Sequence, residues 1–400
     1  MAVTADIVVA GGGVIGTAIA WRAAGAGLDV IVVDPESGDA ASQVAAGMLA
    51  PVSESLFGED ALLALNLLAV RRFGPFAAEL EAATGRDVGL RREGTLAVAY
   101  DPGDHAALVR LTAFRRSLGL DAEELDSREC RRLEPFLAPD VRGGFLFAGD
   151  WSVDNRRYAG ALRQAMQAAG VRTVHDRVTE VRIHGGKVCG VRLAGAGADG
   201  PGVGADGAAS SADGGIDCAT VVIAAGYASG QIAGLPGPLR GVVRPVKGQL
   251  LRLRHPTGMP PVLSHTVRAV VRGTDVYLVP RADGEMIVGA TSEERGPDRT
   301  VTAGAVHDLL RDAMSVLPVT SELALAETCA GLRPGTPDNG PVVGATGIGG
   351  LLMATGHYRN GILLSAVTAD AAVAFLTGQR PALEWEPFSP RRFMVQAGST

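Results

Sequence analysis

The stretch from residue 5 to residue 36, ADIVVAGGGVIGTAIAWRAAGAGLDVIVVDPE, decides the fold. Its residues Ile7 to Ala10 form an unbroken apolar run, as expected of a strand that is buried on both faces of a parallel sheet. A glycine-rich turn and a helical segment follow, and a second apolar run from Val30 to Val33 ends at Asp34. The stretch therefore predicts strand, turn, helix and strand, the βαβ unit that opens a parallel sheet.

Three glycines in this turn have the spacing G-x-G-x-x-G. Gly11 permits the tight turn, Gly13 lets a pyrophosphate approach the backbone, and Gly16 lets the helix pack closely on the strand. The helix N-terminus then faces the anion with the positive end of its dipole. Asp34 stands where a carboxylate binds ribose hydroxyls, and its charge disfavours the 2′-phosphate of NADP. The turn predicts a dinucleotide site, and by itself it fits FAD and NAD equally.

Two later segments also run from a strand into a turn of small residues. They are VVIAAGYAS at 221–229 and LLMATGHYRNG at 351–361. Small residues are needed where a backbone passes close to a bulky cofactor. Because more than a hundred residues separate the two segments, we expect a cofactor domain assembled from distant pieces, whereas an NAD domain is more often contiguous.

The composition limits the classes of function. The chain has 400 residues, of which 47% are hydrophobic, and a formal net charge of −6, so it is long enough for two domains and has no basic excess that favours nucleic acid. Its four cysteines are widely spaced, which predicts neither a zinc site nor a disulfide framework, and we expect no metal. The N-terminus lacks a basic signal-peptide region and the last long apolar segment is interrupted by Asp370, so we expect a soluble cytoplasmic protein without membrane association.

Five strings are jointly informative: AAGMLAP (45–51), VKGQ (246–249), VYLVPRADGEMIVGAT (276–291), AGLRPGTPDNGP (330–341) and GHYRNGILL (356–364). In this order and spacing they resemble the FAD-dependent D-amino-acid oxidase family, and specifically its glycine oxidase branch, the enzyme of thiamine thiazole synthesis. The resemblance covers nearly the whole chain. It implies that oxygen oxidises glycine, and small amines such as sarcosine or D-amino acids, with non-covalent FAD. Glycine then gives glyoxylate, ammonia and hydrogen peroxide, and the resemblance further implies a homo-oligomer such as a tetramer.

The resemblance and the strand pattern together predict an α/β fold of two domains. The first is a Rossmann-like FAD-binding domain of the D-amino-acid oxidase and glutathione reductase type, built from residues 1–85, 145–235 and 325–385. The second is a substrate-binding domain with an antiparallel sheet, built from residues 86–144 and 236–324, with a hairpin turn at 282–284. Residues 194–216 are nearly free of bulky apolar side chains, which predicts a flexible loop.

The resemblance also implies the binding residues. Besides the three glycines, the implied cofactor-binding residues are Val14, Ile15, Asp34 and Pro35 at the dinucleotide end, Ala41 and Ser42 after them, Val178 at the adenine, Ala46, Gly47 and Met48 near the isoalloxazine ring, and His357, Tyr358, Arg359, Asn360, Gly361, Ile362 and Leu363 around that ring. The implied substrate-binding residues are Arg333, Arg359 and Tyr277. This chain departs from the family in two places, because the family more often has Glu at position 34 and often has Arg where this chain reads GDAAS (38–42).

The residue types support these roles to different degrees. Arg333 follows a predicted strand and precedes a Pro-Gly turn, a fixed setting from which a planar guanidinium grips a carboxylate through two hydrogen bonds. Tyr277 either donates its phenol to that carboxylate or is a core residue with its hydroxyl at the rim. Arg359 and the helix that begins near Gly361 would stabilise negative charge on the reduced flavin. We expect His357 to pack beside the cofactor and not to act as a general base.

Three alternatives remain open from the sequence. The first is a related flavoenzyme, such as a D-amino-acid dehydrogenase or a sarcosine-oxidase-like enzyme. The others are a flavin-binding protein without turnover and a nicotinamide-dependent dehydrogenase. Because an amine must be neutral before it loses a hydride, an amino-acid oxidase predicts a rate that rises with pH until the bound amine is deprotonated.

Overall fold

A computed structural model of the protein describes residues 4–35, 41–196 and 214–394. The α-helices in these residues are α1 (Val14–Gly25), α2 (Ala41–Val44), α3 (Asp60–Thr84), α4 (Pro102–Ser117), α5 (Ser127–Leu133), α6 (Asn155–Ala168), α7 (Ala303–Val316) and α8 (Gly361–Leu376). The strands are β1 (Thr4–Ala10), β2 (Val30–Val33), β3 (Met48–Leu49), β4 (Thr95–Ala99), β5 (Glu123–Asp126), β6 (Gly143–Phe147), β7 (Trp151–Ser152), β8 (Arg172–Val174), β9 (Val178–His184), β10 (Lys187–Leu193), β11 (Gly215–Ile223), β12 (Arg244–Arg254), β13 (Thr266–Val271), β14 (Thr274–Pro280), β15 (Glu285–Gly289), β16 (Ala324–Gly335), β17 (Val342–Ala345) and β18 (Leu351–Thr355).

The first sheet is parallel at its centre, as the opening stretch predicts. Its strand order is β17, β18, β11, β1, β2 and β8, and β10 and β9 extend from β11. β1 pairs in parallel with both β2 and β11, and β11 pairs in parallel with β18. The carboxyl ends of β1, β11 and β18 therefore lie side by side, and each leads into one of the small-residue turns.

Both faces of this sheet are covered, which explains the unbroken apolar runs of β1 and β2. Ile7 and Val9 pack with helices α1, α3, α6 and α8, whereas Val8 and Ala10 pack with residues of β9 and β10 on the other face. α3 and the segment from Tyr358 to Leu376 are long and apolar enough to span a membrane by length and composition alone. More than half of each apolar window is buried inside the protein, so the two helices are weak evidence for membrane insertion.

The second sheet is mostly antiparallel, with the order β16, β12, β15, β14, β13, β4, β6 and β5. The predicted hairpin at 282–284 joins β14 to β15. β16 pairs with β12 from Ala324 to Gly335, and β6 pairs with β4 and β5. The antiparallel sheet thus extends beyond the boundaries at 144 and 325 that the sequence suggested, because residues 145–147 and 325–335 complete strands of that sheet. Residues 197–213, most of the predicted flexible loop, lie outside the described residues.

Candidate active site

A cavity of about 1060 Å³ is lined by residues of both sheets. Ligand pockets commonly have volumes of about 300–1,000 Å³, so this one is large enough for a ligand bigger than an amino acid. Its lining includes the glycine turn after β1, the segment around α2 and β3, strands β14 and β16, and the first turn of α8. These are distant segments of the chain, as the sequence predicted for a cofactor site.

The three glycines of the turn have two different roles. Gly11 and Gly16 allow close backbone packing, whereas Gly13 leaves space in the cavity. Gly11 has a φ of +110°, and a Cβ there would overlap the main chain of Ala224 in the turn after β11. A Cβ at Gly16 would overlap the carbonyl of Gly11, so this glycine serves the packing of α1 on the turn and does not line the cavity. A Cβ at Gly13 would meet only the Ser42 hydroxyl, at 3.7 Å, and Gly13 faces the cavity. The turn is therefore open at the position where the sequence places a pyrophosphate.

Asp34 stands beside the glycine turn at the end of β2. Its Oδ2 accepts a hydrogen bond from the main-chain nitrogen of Gly12 at 2.6 Å, and the residue lines the cavity. The Asp34 nitrogen in turn donates to the carbonyl of Val174 on the neighbouring strand. The carboxylate is thus fixed in position next to the turn, where a ribose adjoining the pyrophosphate would lie.

Asn155 fixes the segment that contains α2 by hydrogen bonds that the sequence did not reveal. Its side-chain nitrogen donates to the carbonyl oxygens of Ser42 (2.8 Å) and Gln43 (3.0 Å). Its side-chain oxygen accepts from Arg252 (3.3 Å) and Arg281 (3.4 Å). All three polar side chains are buried, so α6 and the antiparallel sheet together determine the course of this cavity wall.

The AAGM string forms a turn in the same wall. Arg281 donates to the carbonyl of Ala46, and Gly47 has a φ of +76° with its Cα close to the carbonyl of Val153. Met48 then begins β3, which pairs with β7. Ala46, Gly47 and Met48 all line the cavity, and a residue with a side chain at 47 would not fit this backbone.

The segment from 356 to 363 forms the turn from β18 into α8. His357 is buried, and its Nε2 lies 3.0 Å from the hydroxyl of Thr368. Burial lowers the pKa of His357 to about 3, so the ring is neutral at physiological pH. Arg359 is exposed, and its guanidinium lies 4.8 Å from the centre of the Tyr358 ring. A neutral ring that is already hydrogen-bonded fits the packing role expected for His357.

Most of the sequence-predicted site residues line this one cavity. They are Gly11, Gly13, Val14, Ile15, Asp34, Pro35, Ala41, Ser42, Ala46, Gly47, Met48, Val178, Tyr277, Arg333, His357, Tyr358, Arg359, Gly361 and Ile362. The cavity lining does not include Gly16, Asn360 or Leu363. Asn360 precedes the first residue of α8, and Leu363 is in the hydrophobic core with the residues that cover the first sheet. The cavity wall brings the predicted residues together, and their individual roles remain predictions.

Arg333 and Tyr277 each lie against a glycine of a neighbouring strand. A Cβ at Gly248 of β12 would come within 3.0 Å of the Arg333 guanidinium, and a Cβ at Gly289 of β15 would come within 3.0 Å of the Tyr277 phenol. Arg333 Nη1 donates to the carbonyl of Thr291 at 3.1 Å. Burial raises the pKa of Tyr277, while the charge of Arg333 and a hydrogen bond from it act in the opposite direction. Because Arg333 donates to Thr291, two residues beyond the Gly289 that the Tyr277 phenol contacts, the two side chains are neighbours. The raised pKa keeps the phenol protonated at neutral pH.

A group of charged side chains continues the wall beyond Tyr277. Glu54 and Arg268 form an ion pair at 2.8 Å, and both line the cavity with Asp275 and Arg115. Burial acts to lower the pKa of Arg268, but the charges of Glu54 and Asp275 raise it overall. Burial lowers the pKa of Arg115 to about 10. Sequence reasoning missed these residues, because most of them lie outside the strings that carry the resemblance.

The residues present fit FAD. The open position at Gly13 leaves room for a pyrophosphate at the N-terminus of α1, and Asp34 and Val178 line the cavity where the ribose and adenine would follow. The turn at Ala46 and the first turn of α8 would hold the isoalloxazine ring, with Arg333 and Tyr277 beyond it. No group of three or more His, Cys, Asp or Glu side chains in the described parts of the chain could hold a metal ion.

Comparisons with known proteins agree with this geometry. A bifunctional protein ThiO/ThiG from Synechocystis sp. is 33% identical over 399 residues, which are 99% of this chain and 55% of that relative. The chain thus spans about half the length of that relative. A hydrogen cyanide synthase subunit HcnC from Pseudomonas aeruginosa is 28% identical and is aligned over 98% of this chain and 97% of its own. The crystal structure of glycine oxidase from Geobacillus kaustophilus matches with a TM-score of 0.85 and 30% identity, covering 97% of this chain and 99% of that one.

The model of one protein family matches almost the whole chain. That family is described as DAO, FAD dependent oxidoreductase, and the match runs from residue 6 to residue 375. It includes the glycine turn, both sheets and α8, which together surround the cavity. The match also confirms the FAD cofactor that the resemblance implied. The chain therefore belongs to the DAO family of FAD-dependent oxidoreductases.

Proposed function

We propose that the protein is a glycine oxidase, which converts glycine, oxygen and water to glyoxylate, ammonia and hydrogen peroxide. The observation that carries the proposal is the neighbouring pair Arg333 and Tyr277 in the wall of the cavity that the glycine turn and α8 share. A guanidinium beside a protonated phenol is a receptor for a carboxylate. The similarity to a glycine oxidase structure over nearly the full length of both chains supports the same substrate class.

Each residue has a limited task in this proposal. Bound FAD would supply the acceptor for the hydride of the substrate α-carbon and the route of its electrons to oxygen. Arg333 binds the substrate carboxylate and thereby orients the α-carbon, and each charge-assisted hydrogen bond contributes about 1.5–3 kcal/mol. Tyr277 donates a hydrogen bond from its phenol hydroxyl to the same carboxylate. His357 takes no proton from the substrate, because burial disfavours its protonated form and its Nε2 is already hydrogen-bonded to Thr368.

The resemblance to glycine oxidases also suggests a metabolic pathway and an oligomeric state for the protein. Oxidised glycine is first an imine, and this imine would serve thiamine thiazole synthesis. Sarcosine and small D-amino acids are further proposed substrates. We also propose a cytoplasmic homotetramer, which light scattering of the purified protein tests.

The purified protein should be yellow, and anaerobic addition of glycine should bleach the flavin absorbance. Peroxide and glyoxylate should then form in equal amounts in air. A colourless preparation that FAD cannot reconstitute, or a flavin that no amino acid reduces, contradicts the proposal.

A D-amino-acid dehydrogenase or a sarcosine-oxidase-like enzyme is the alternative, since the chain is also similar to a relative that is not named a glycine oxidase, the hydrogen cyanide synthase subunit HcnC. Reduction by the amine without peroxide, in the presence of an artificial electron acceptor, would favour the dehydrogenase. Faster turnover of sarcosine than of glycine would favour the other enzyme. A panel of glycine, sarcosine and D-alanine, each measured by peroxide release, separates these outcomes.

A further inference from the structure

The strand register places a row of polar side chains across the antiparallel sheet. Arg268 on β13 is directly opposite Tyr277 on β14. The Tyr277 phenol lies over Gly289 on β15, and the Arg333 guanidinium lies over a glycine of β12. Since β13, β14, β15 and β12 are consecutive neighbours and adjacent strands are about 4.8 Å apart, the phenol stands between two guanidinium groups on one wall of the cavity.

The two guanidinium groups differ in their partners. Arg333 donates to main-chain carbonyls and has Tyr277 beside it. Arg268 is paired at 2.8 Å with Glu54, and the side chains of this pair are 23% and 13% exposed, respectively. At the Arg268 end of the row, the carboxylate of Glu54 is thus the ion-paired partner of the cation, and it faces a cavity that also contains the carboxylate receptor.

Glu54 is held in place by its neighbours in the chain. The buried carboxylate of Asp150 accepts hydrogen bonds from the main-chain nitrogens of Val52 and Ser53, the closest at 3.0 Å. On the other side, the buried Arg115 donates to the carbonyls of Ser53 and Ser55. The backbone around Glu54 is therefore fixed by hydrogen bonds on both sides, which preorganises its side chain toward the cavity.

An amino acid brings an ammonium group as well as a carboxylate into the cavity. Burying the ammonium without a counter-charge is unfavourable. Among the carboxylates that line the wall near Tyr277, Asp275 is exposed at the end of a hairpin, whereas Glu54 is largely buried. A less hydrated carboxylate binds a cation more strongly.

We propose that the carboxylate of Glu54 binds the amino group of the substrate, while Arg333 binds its carboxylate and Arg268 holds Glu54 in position. The inference rests on the proposed function and adds a second recognition residue to the same cavity. Arg333 binds the carboxylate that amino acids and simple carboxylates share. The inference therefore predicts that Glu54, through the amino group, makes the protein prefer amino acids.

The test compares glycine with acetate, which has the carboxylate and no amine. Glu54→Gln should raise the KM for glycine about tenfold to a hundredfold, as expected for the loss of one charge-assisted hydrogen bond. The inhibition constant of acetate should stay the same or fall, because the remaining Arg268 cation attracts anions. The flavin content should equal that of the parent protein.

Two further variants separate the loss of the Glu54 carboxylate from a change in the shape of the cavity wall. Glu123→Gln, at an exposed carboxylate of β5 that does not line the cavity, should leave both constants within twofold. The double variant Glu54→Gln with Arg268→Met removes both charges of the ion pair and should still raise the KM for glycine without changing the inhibition constant of acetate.

The inference is overturned if Glu54→Gln and the double variant leave the KM for glycine within twofold of the parent value. It is also overturned if they weaken glycine and acetate equally, since a displaced Arg333 would give that result. If the parent protein does not oxidise glycine, this result contradicts the proposed function and, with it, the inference that rests on it. If the parent protein oxidises glycine but Glu54→Gln leaves the ratio of the KM for glycine to the inhibition constant of acetate unchanged, only the inference is overturned.

Discussion

The guanidinium of Arg333 lies directly against the backbone of Gly248, on the strand next to its own. A Cβ at 248 would come within 3.0 Å of three guanidinium atoms, closer than a side chain tolerates without moving. The position of the carboxylate receptor therefore depends on the absence of a side chain at its neighbour. A glycine inside a strand often marks such a close approach.

Gly248→Ala should displace the Arg333 guanidinium without removing it. We expect the KM for glycine and the inhibition constant of acetate to rise together, on the order of tenfold, because one charge-assisted hydrogen bond is lost or distorted. The flavin spectrum and flavin content should not change. Gly304→Ala is the control, because a Cβ there meets no atom within 4 Å, and its kinetic constants should match the parent protein. Unchanged constants for Gly248→Ala would show that the guanidinium has room to move.

Arg333→Ala should have the larger effect. The loss of two charge-assisted hydrogen bonds predicts that the apparent affinity for glycine and for acetate falls on the order of a hundredfold or more. The protein should still bind FAD, because the predicted cofactor contacts lie elsewhere in the cavity. Steady-state kinetics and titration of the flavin absorbance with acetate measure both effects. An unchanged acetate affinity would remove Arg333 from the substrate site.

Gly13→Val tests the pyrophosphate position. The Cβ points into the cavity and meets only Ser42 at 3.7 Å, so the apoprotein should still fold, with a melting temperature lowered only by the loss of glycine at the N-cap of α1. The same side chain would occupy the space of the pyrophosphate, and we expect FAD to bind on the order of a hundredfold more weakly. Fluorescence titration of the apoprotein with FAD measures the dissociation constant. Gly160→Ala in α6, where a Cβ meets nothing within 4 Å, should bind FAD normally.

His357 should make the stability depend on pH. Its pKa is about 3 in the folded protein and about 6.5 in the unfolded chain, so the unfolded state takes up a proton first as the pH falls. The stability that depends on neutral His357 is fully present above pH 6.5 and is lost as the pH falls toward 3, by about 1.4 kcal/mol per pH unit.

The variant His357→Gln should lose this part of the acid sensitivity. Denaturant unfolding of the FAD-saturated protein at several pH values between 4 and 7 measures the difference between parent and variant. Asp150 contributes with the opposite sign, because burial raises its pKa to about 6, but it is present in both proteins and cancels in the difference. His307→Gln, at an exposed position, is the control. Parallel stability curves for parent and His357→Gln would contradict the prediction.

The local elements were predictable because their signals are local. The apolar runs of β1 and β2, the glycine spacing between them and the hairpin at 282–284 each depend on residues that are close in the chain. The Pro-Gly turn expected directly after Arg333 was wrong, because β16 continues through Arg333 to Gly335 and pairs with β12 over that whole length.

The contacts that sequence reasoning missed join distant segments. Glu54 meets Arg268 across 214 residues, and Asn155 meets Ser42 across 113, and no spacing rule connects such pairs. The pairing of β16 with β12 likewise joins segments that are far apart in the chain, so no spacing rule assigns β16 to the antiparallel sheet. Gly248 did carry a usable signal, since a glycine inside a strand often marks a close approach.

The parallel pairing of β11 with both β1 and β18 has a consequence for synthesis of the protein. In the sheet, β11 lies between β1 and β18. In the chain, β18 and the first turn of α8 follow β1 by about 340 residues. A nascent chain that ends before residue 361 therefore carries the pyrophosphate turn without the opposite wall of the flavin cavity. We conclude that tight capture of the cofactor has to wait until the ribosome has delivered the segments from β1 to the first turn of α8.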